Sequence, residues 1–158
     1  MDPFVRLDQT TRRREDGRGW LEVLYESETA VLKRSFSKKG VFRGLHVQIA
    51  PSAQTKVIRV VSGAIVDVVV SINDPAQRLY TTRLTPADGW VRIGAEYAHG
   101  FYAEEDTIFE YVCDGAYDEA SELAYSIADR LPSLLGVERV ILSDKDLAAP
   151  PLSTAGTE

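Results

Sequence analysis

Residues 56–72 read Lys-Val-Ile-Arg-Val-Val-Ser-Gly-Ala-Ile-Val-Asp-Val-Val-Val-Ser-Ile. Two runs of β-branched residues, each too short for a helix, are split by Ser62-Gly63. That pattern reads as two strands joined by a tight hairpin. The same signal repeats outward in both directions. Strands are expected at 30–35, 42–49, 56–61, 64–72, 79–84, 89–93, 98–102 and 107–113. Between them stand turn-forming stretches such as Asn73-Asp74-Pro75 and Ala87-Asp88-Gly89. Helical patterning is expected only late, over 118–129, ahead of Leu131-Pro132. Eight short strands at close spacing predict an all-β sandwich or barrel, with a jelly roll as one solution.

The 158 residues suit a single domain, with a loose tail expected from about 149 to 158, where Pro150-Pro151 precedes Ser-Thr-Ala-Gly. An apolar share of 44% and a charged share of 27% are ordinary for a soluble domain. No apolar run approaches the ~20 residues that cross a bilayer. The longest, residues 64–70, is interrupted by Asp67. Residues 1–7 lack the basic-then-apolar pattern of a signal peptide, and the single cysteine, Cys113, leaves no internal disulfide framework. A cytoplasmic location is therefore expected. The net charge of −6 argues against a nucleic-acid surface, which needs clustered cations. Arg12-Arg13-Arg14 runs straight into Glu15-Asp16 and reads as a solvated stretch. An acidic chain still binds a small anion through a few placed arginines.

The only two histidines lie in Gly-flanked β segments, Gly40-Val-Phe-Arg-Gly-Leu-His46-Val-Gln48 and Ala98-His99-Gly-Phe101. Strand alternation puts Gly44, His46 and Gln48 on one face and Arg43, Leu45 and Val47 on the other. A barrel metal site wants two or three histidines and a carboxylate. Here Gln48 takes the place of a third histidine, and Glu110 would have to complete the set. No phosphate loop, dinucleotide motif or zinc-finger spacing is present. Cys113 reads as a buried thiol rather than a nucleophile.

The stretch Gly40 to Gln48 resembles the strand motif of the dTDP-4-dehydrorhamnose 3,5-epimerase family. The similarity continues in order through Lys56 to Gly63, Val66 to Val70, Ala98 to Phe101, Phe109-Glu-Tyr111 and Leu142-Ser-Asp-Lys-Asp146. Asp16-Gly-Arg-Gly19 resembles the family's arginine motif. The resemblance implies a cupin-type jelly-roll barrel, usually a homodimer, acting on a thymidine-diphosphate 4-keto-6-deoxy sugar without metal or cofactor. It implies that His46 is the base, that Asp146 holds it, that Lys56 lies by the sugar ketone and that Tyr111 is the proton donor. It places Gln48, His99 and Phe101 in the sugar pocket. It gives the diphosphate to Arg43 and to Arg18 of the neighbouring subunit. Tyr117 is the second tyrosine candidate.

The chemistry asks for these residue types on its own terms. A C4 ketone acidifies the protons on C3 and C5, and imidazole is the side chain that accepts a proton near neutral pH. A carboxylate on the far ring nitrogen fixes its tautomer. An ammonium beside the developing enolate stabilises it by roughly 3–4 kcal/mol if it acts as one oxyanion-hole donor. Inversion needs a second acid across the ring. Each residue also has a plainer reading: Lys56 as surface lysine, Tyr111 as packing, Asp146 as part of a charged cluster with Asp144 and Lys145, Arg18 as a turn, Asp67 as a buried holder or a solvated acid.

The chain departs from the family pattern in places. Glu22 stands one residue early in the strand after the arginine motif, with Val23 in the expected slot. Gly94-Ala-Glu-Tyr97 replaces a proline-glycine turn, and Tyr125-Ser-Ile-Ala replaces a tryptophan-acid pattern. These positions bear on the nucleotide and on whether one or both of C3 and C5 invert. Two other readings stay open: a metal-dependent barrel enzyme and a non-catalytic sugar-binding barrel. A 3,4-ketoisomerase would place a second histidine where Gln48 stands.

Overall fold

The computed structural model describes residues 12–152. Eleven strands form two antiparallel sheets. The larger joins β1 (Arg12–Asp16), β2 (Gly19–Glu26), β3 (Ala30–Ser37), β10 (Thr107–Asp114), β5 (Thr55–Ser62) and β8 (Val91–Ile93), in that order. The smaller joins β11 (Glu122–Ala124), β4 (Phe42–Gln48), β9 (Tyr97–Ala103), β6 (Ile65–Ser71) and β7 (Leu79–Leu84). Short helices α1 (Leu131–Leu135) and α2 (Asp144–Ala148) follow. This is the cupin-type jelly roll with a brief helical end. Among the described residues no helix is long and apolar enough to cross a membrane.

Side-chain alternation divides the interior. Ile58, Val60, Ile65, Leu84, Ile93, Phe101 and Phe109 pack between the sheets and close one end. The opposite face of the smaller sheet presents Phe42, Leu45, Val47, Val68 and Val70 to Ile127, Leu131 and Leu152 of the C-terminal segment. β6 is therefore buried on both faces, which explains its near-continuous valine run. Its one acid, Asp67, points inward.

Three expectations are corrected. Ser62-Gly63 is not a hairpin: β5 pairs with β10 and β8, whereas β6 pairs with β7 and β9. Gly63 is the corner at which the chain changes sheets, and a Cβ there would lie 2.4 Å from Thr107 Oγ1. The helix expected over 118–129 is a 3₁₀ turn, Glu119–Ser121, followed by β11, because edge pairing with β4 overrides local helix propensity. The tail expected to be loose docks at its start. Ser126 and Pro151 form a β-bridge and Leu152 is 8% exposed; residues 153–158 lie outside the described residues. The triple arginine is exposed as expected, but it forms a strand, β1, which hairpins onto β2 through Gly17 and Arg18.

One irregularity sets up the site. Along β4 and β9, Arg43 pairs with Phe101 and His46 with His99. Two residues, Gly44 and Leu45, thus oppose the single Gly100, which is a β-bulge. The extra residue shifts the alternation by one. Arg43 and His46, expected on opposite faces, both point between the sheets. Gly44 sits at φ +121°, and a Cβ there would lie 2.6 Å from the His99 carbonyl oxygen. Gly44→Ala is expected to cost about 2 kcal/mol or more. Thermal unfolding checks this, and an unchanged Tm would mean that the bulge does not need glycine.

Candidate active site

Between the sheets, at the end left open by the apolar plug, lies a cavity of about 800 Å³. β4 contributes Arg43, His46 and Gln48, β5 contributes Lys56, and β10 contributes Tyr111 and Cys113. At its heart His46 Nε2 lies 2.7 Å from Asp146 Oδ1. Asp146 is 2% exposed, and its second oxygen accepts the Gly44 N–H at 3.1 Å, the backbone donor that the bulge leaves free of the ladder. Ser143 caps α2 and accepts the Asp146 N–H at 3.0 Å, which fixes where the carboxylate points. Burial raises the Asp146 pKa, but the His46 hydrogen bond and charge, the Gly44 N–H and Arg18 outweigh it, so the net shift is downward. An ionised carboxylate only accepts, so the imidazole proton sits on Nε2 and the lone pair on Nδ1.

The second histidine forms a parallel pair. His99 Nε2 is 2.6 Å from Asp67 Oδ1, both buried. This answers the open question over Asp67, which holds His99, a residue of the cavity lining. Lys56 Nζ donates to the His46 backbone carbonyl at 3.1 Å, Lys56 lines the same cavity as His46, and burial lowers its pKa. Tyr111 packs against Phe109 in a tilted pair at 5.5 Å, Phe109 in turn stacks on Phe101 at 4.4 Å, and burial raises the Tyr111 phenol pKa. Arg43 donates to Ser37 Oγ and the Phe36 carbonyl, and burial, then Arg18, lowers its pKa.

Other expected residues take different parts. Gln48 is committed to the backbone: it donates to the carbonyls of Ser52 and Ala116 and accepts from the Asp118 N–H. It clamps two loops at the cavity wall instead of presenting a free amide. Within the single chain Arg18 lies at the rim of its own cavity. It pairs with Asp16, whose pKa falls to about 2 through that bond, and its Nη1 is 3.8 Å from Asp146 Oδ2. Tyr117 is half exposed at the mouth and donates to Glu122 at 2.7 Å; burial and that bond push its pKa up to about 12. Asp146 is no part of a solvated cluster.

Glu110 faces the other side of β10, where Arg34 and Arg59 hold it at 2.7 and 2.8 Å. It therefore cannot join His46 and His99 around an ion. Among the described residues no group of three metal-ligating side chains converges. Sequence reasoning passes over Lys33 and Ser35, which line the cavity from β3. Alternation on a strand already expected at 30–35 was the available signal.

Comparison with known proteins places this geometry. The family model described as dTDP-4-dehydrorhamnose 3,5-epimerase matches residues 8–154. A protein of that name from Streptomyces griseus is 31% identical over 158 residues, covering 89% of this chain and 78% of its own. The curated relatives are matched over 62% to 84% of their lengths. The crystal structure of a Bacillus anthracis dTDP-4-dehydrorhamnose 3,5-epimerase with TDP and PPi bound superposes with TM-score 0.69 at 30% identity, covering 90% of this chain and 91% of that one. A 3′-monoepimerase from Streptomyces bikiniensis in complex with dTDP-quinovose gives TM-score 0.67 at 27% identity, covering 92% and 82%. By the extent of the family match and these identities, the chain belongs to the dTDP-4-dehydrorhamnose 3,5-epimerase family.

Proposed function

We propose that this chain epimerises a thymidine-diphosphate-linked 4-keto-6-deoxy hexose at the carbons beside the ketone. The observation that carries the reading is the His46–Asp146 pair facing a cavity that also holds Lys56 and Tyr111. His46 Nδ1 takes the proton from a carbon next to C4. The electron pair moves onto the C4 oxygen as an enolate, which the Lys56 ammonium stabilises. Tyr111 returns a proton to the opposite face, the carbonyl re-forms and the centre is inverted. Asp146 keeps Nδ1 unprotonated at the start and balances the imidazolium that forms. Arg43 and Arg18 offer the cationic rim that a diphosphate requires. The proposal includes a homodimer and a cytoplasmic enzyme.

Two measurements test it. In deuterated water, a thymidine-diphosphate 4-keto-6-deoxy sugar should gain deuterium at C3, C5 or both. His46→Ala should abolish the exchange, Tyr111→Phe should exchange without inverting, and Asp146→Asn should slow exchange by about 10³-fold or more through loss of the tautomer. No exchange by the unmodified chain would defeat the activity. Sedimentation equilibrium should give twice the mass of one chain, and a monomer would remove the dimer from the proposal.

A further inference from the structure

The inward face of β3 carries Val31, Lys33, Ser35 and Ser37. Val31, Ser35 and Ser37 are buried, and Lys33, partly buried between them, lines the cavity. Among the described residues Lys33 forms no ion pair. What it does have is an aromatic partner. In the β3–β10 register Lys33 lies directly opposite Tyr111. Its Nζ is 5.5 Å from the Tyr111 ring centroid and 5.4 Å from that of Tyr117, both within cation–π range.

The acid–base scheme leaves a negative charge on Tyr111. When Tyr111 acts, its O–H bond breaks, the enolate electron pair forms the new C–H bond, the C4 carbonyl is restored and a phenolate remains. Water then reprotonates the phenolate, and the proton held by His46 leaves to water. Burial opposes that phenolate. Cys113 on β10 and Glu122 on β11 oppose it too, while Arg43 on β4 favours it. Arg43, bonded to Ser37 and the Phe36 carbonyl, is the cation assigned above to the diphosphate, and Lys56, bonded to the His46 carbonyl, the one assigned to the enolate. Tyr117 is spent on Glu122.

We propose that Lys33 is a positioning residue for inversion: its ammonium, set across the strand pair from Tyr111, is the counter-charge that lets this phenol give up its proton. This rests on the reading of Tyr111 as the acid. A nearby cation lowers the free energy of a phenolate by the equivalent of about one to three pKa units. Lys33 therefore governs the ratio of inversion to exchange, while proton removal by His46 proceeds without it.

The test measures wash-in and inversion in one sample. Lys33→Met should lose inversion about tenfold or more, with exchange and KM kept. Lys33→Arg should restore inversion. So should 3,5-difluorotyrosine placed at position 111 of the Lys33→Met chain, because its more acidic phenol needs less counter-charge. Retained exchange reports a folded site, and Lys33→Gln serves as a second neutral variant. Unchanged inversion in both neutral variants would overturn the proposal, as would a loss that neither arginine nor the fluorinated phenol repairs. Tyr111→Phe separates the two readings. If it inverts normally, the acid assignment itself falls; if it fails to invert while Lys33→Met inverts normally, only the role of Lys33 falls.

Discussion

A buried carboxylate under an imidazole is the interaction on which this site is built. Asp146 is far from His46 in sequence, and bringing them to 2.7 Å takes three separate pieces of structure. The bulge in β4 supplies the Gly44 N–H and turns His46 inward. Ser143 caps α2 and aims Asp146. A parallel bridge between Val41 and Ile141 ties the approach to α2 against the start of β4. A buried acid without these donors would favour its protonated form. With them it stays ionised, and an ionised Asp146 is what leaves Nδ1 free to accept a proton.

The rest of the interior follows from keeping that site polar inside a stable barrel. Apolar side chains are concentrated at one end and behind the smaller sheet, so that the other end can carry charge. Several inward polar groups there have identified partners: Asp67 for His99, Asp16 for Arg18, backbone carbonyls for Lys56 and Arg43. Lys33 has two aromatic rings. Glu110 is turned away from the cavity by Arg34 and Arg59, while Asp16, Glu122 and Asp146 stay in its lining.

Much of this was legible in the sequence. The eight strands from 30 to 113 follow from alternation and β-branched runs, and the ordered motifs around His46, Lys56, His99, Tyr111 and Asp146 gave the family. What escaped was non-local. Strict alternation put Arg43 opposite His46, because a bulge is a property of two strands together; Gly44 inside a strand was its only mark. The corner at Gly63 looks like a hairpin to any reading confined to neighbouring residues. β1 is wholly charged, and the apolar residues of β2 do not alternate, so neither shows the rhythm that reveals a strand. β11 forms from helix-favouring residues because the edge of β4 is vacant. The resemblance puts Gln48 in the sugar pocket, whereas its amide is consumed by loops brought to it by the fold.

The most direct test is the protonation pattern of the His46 ring, read from nitrogen-15 shifts of the histidine-labelled protein where the imidazole is uncharged. The expected result is a proton on Nε2 and a bare Nδ1, with the pattern lost in Asp146→Ala. A proton on Nδ1, or a spectrum indifferent to Asp146, would contradict the assignment of His46 as the carbon base.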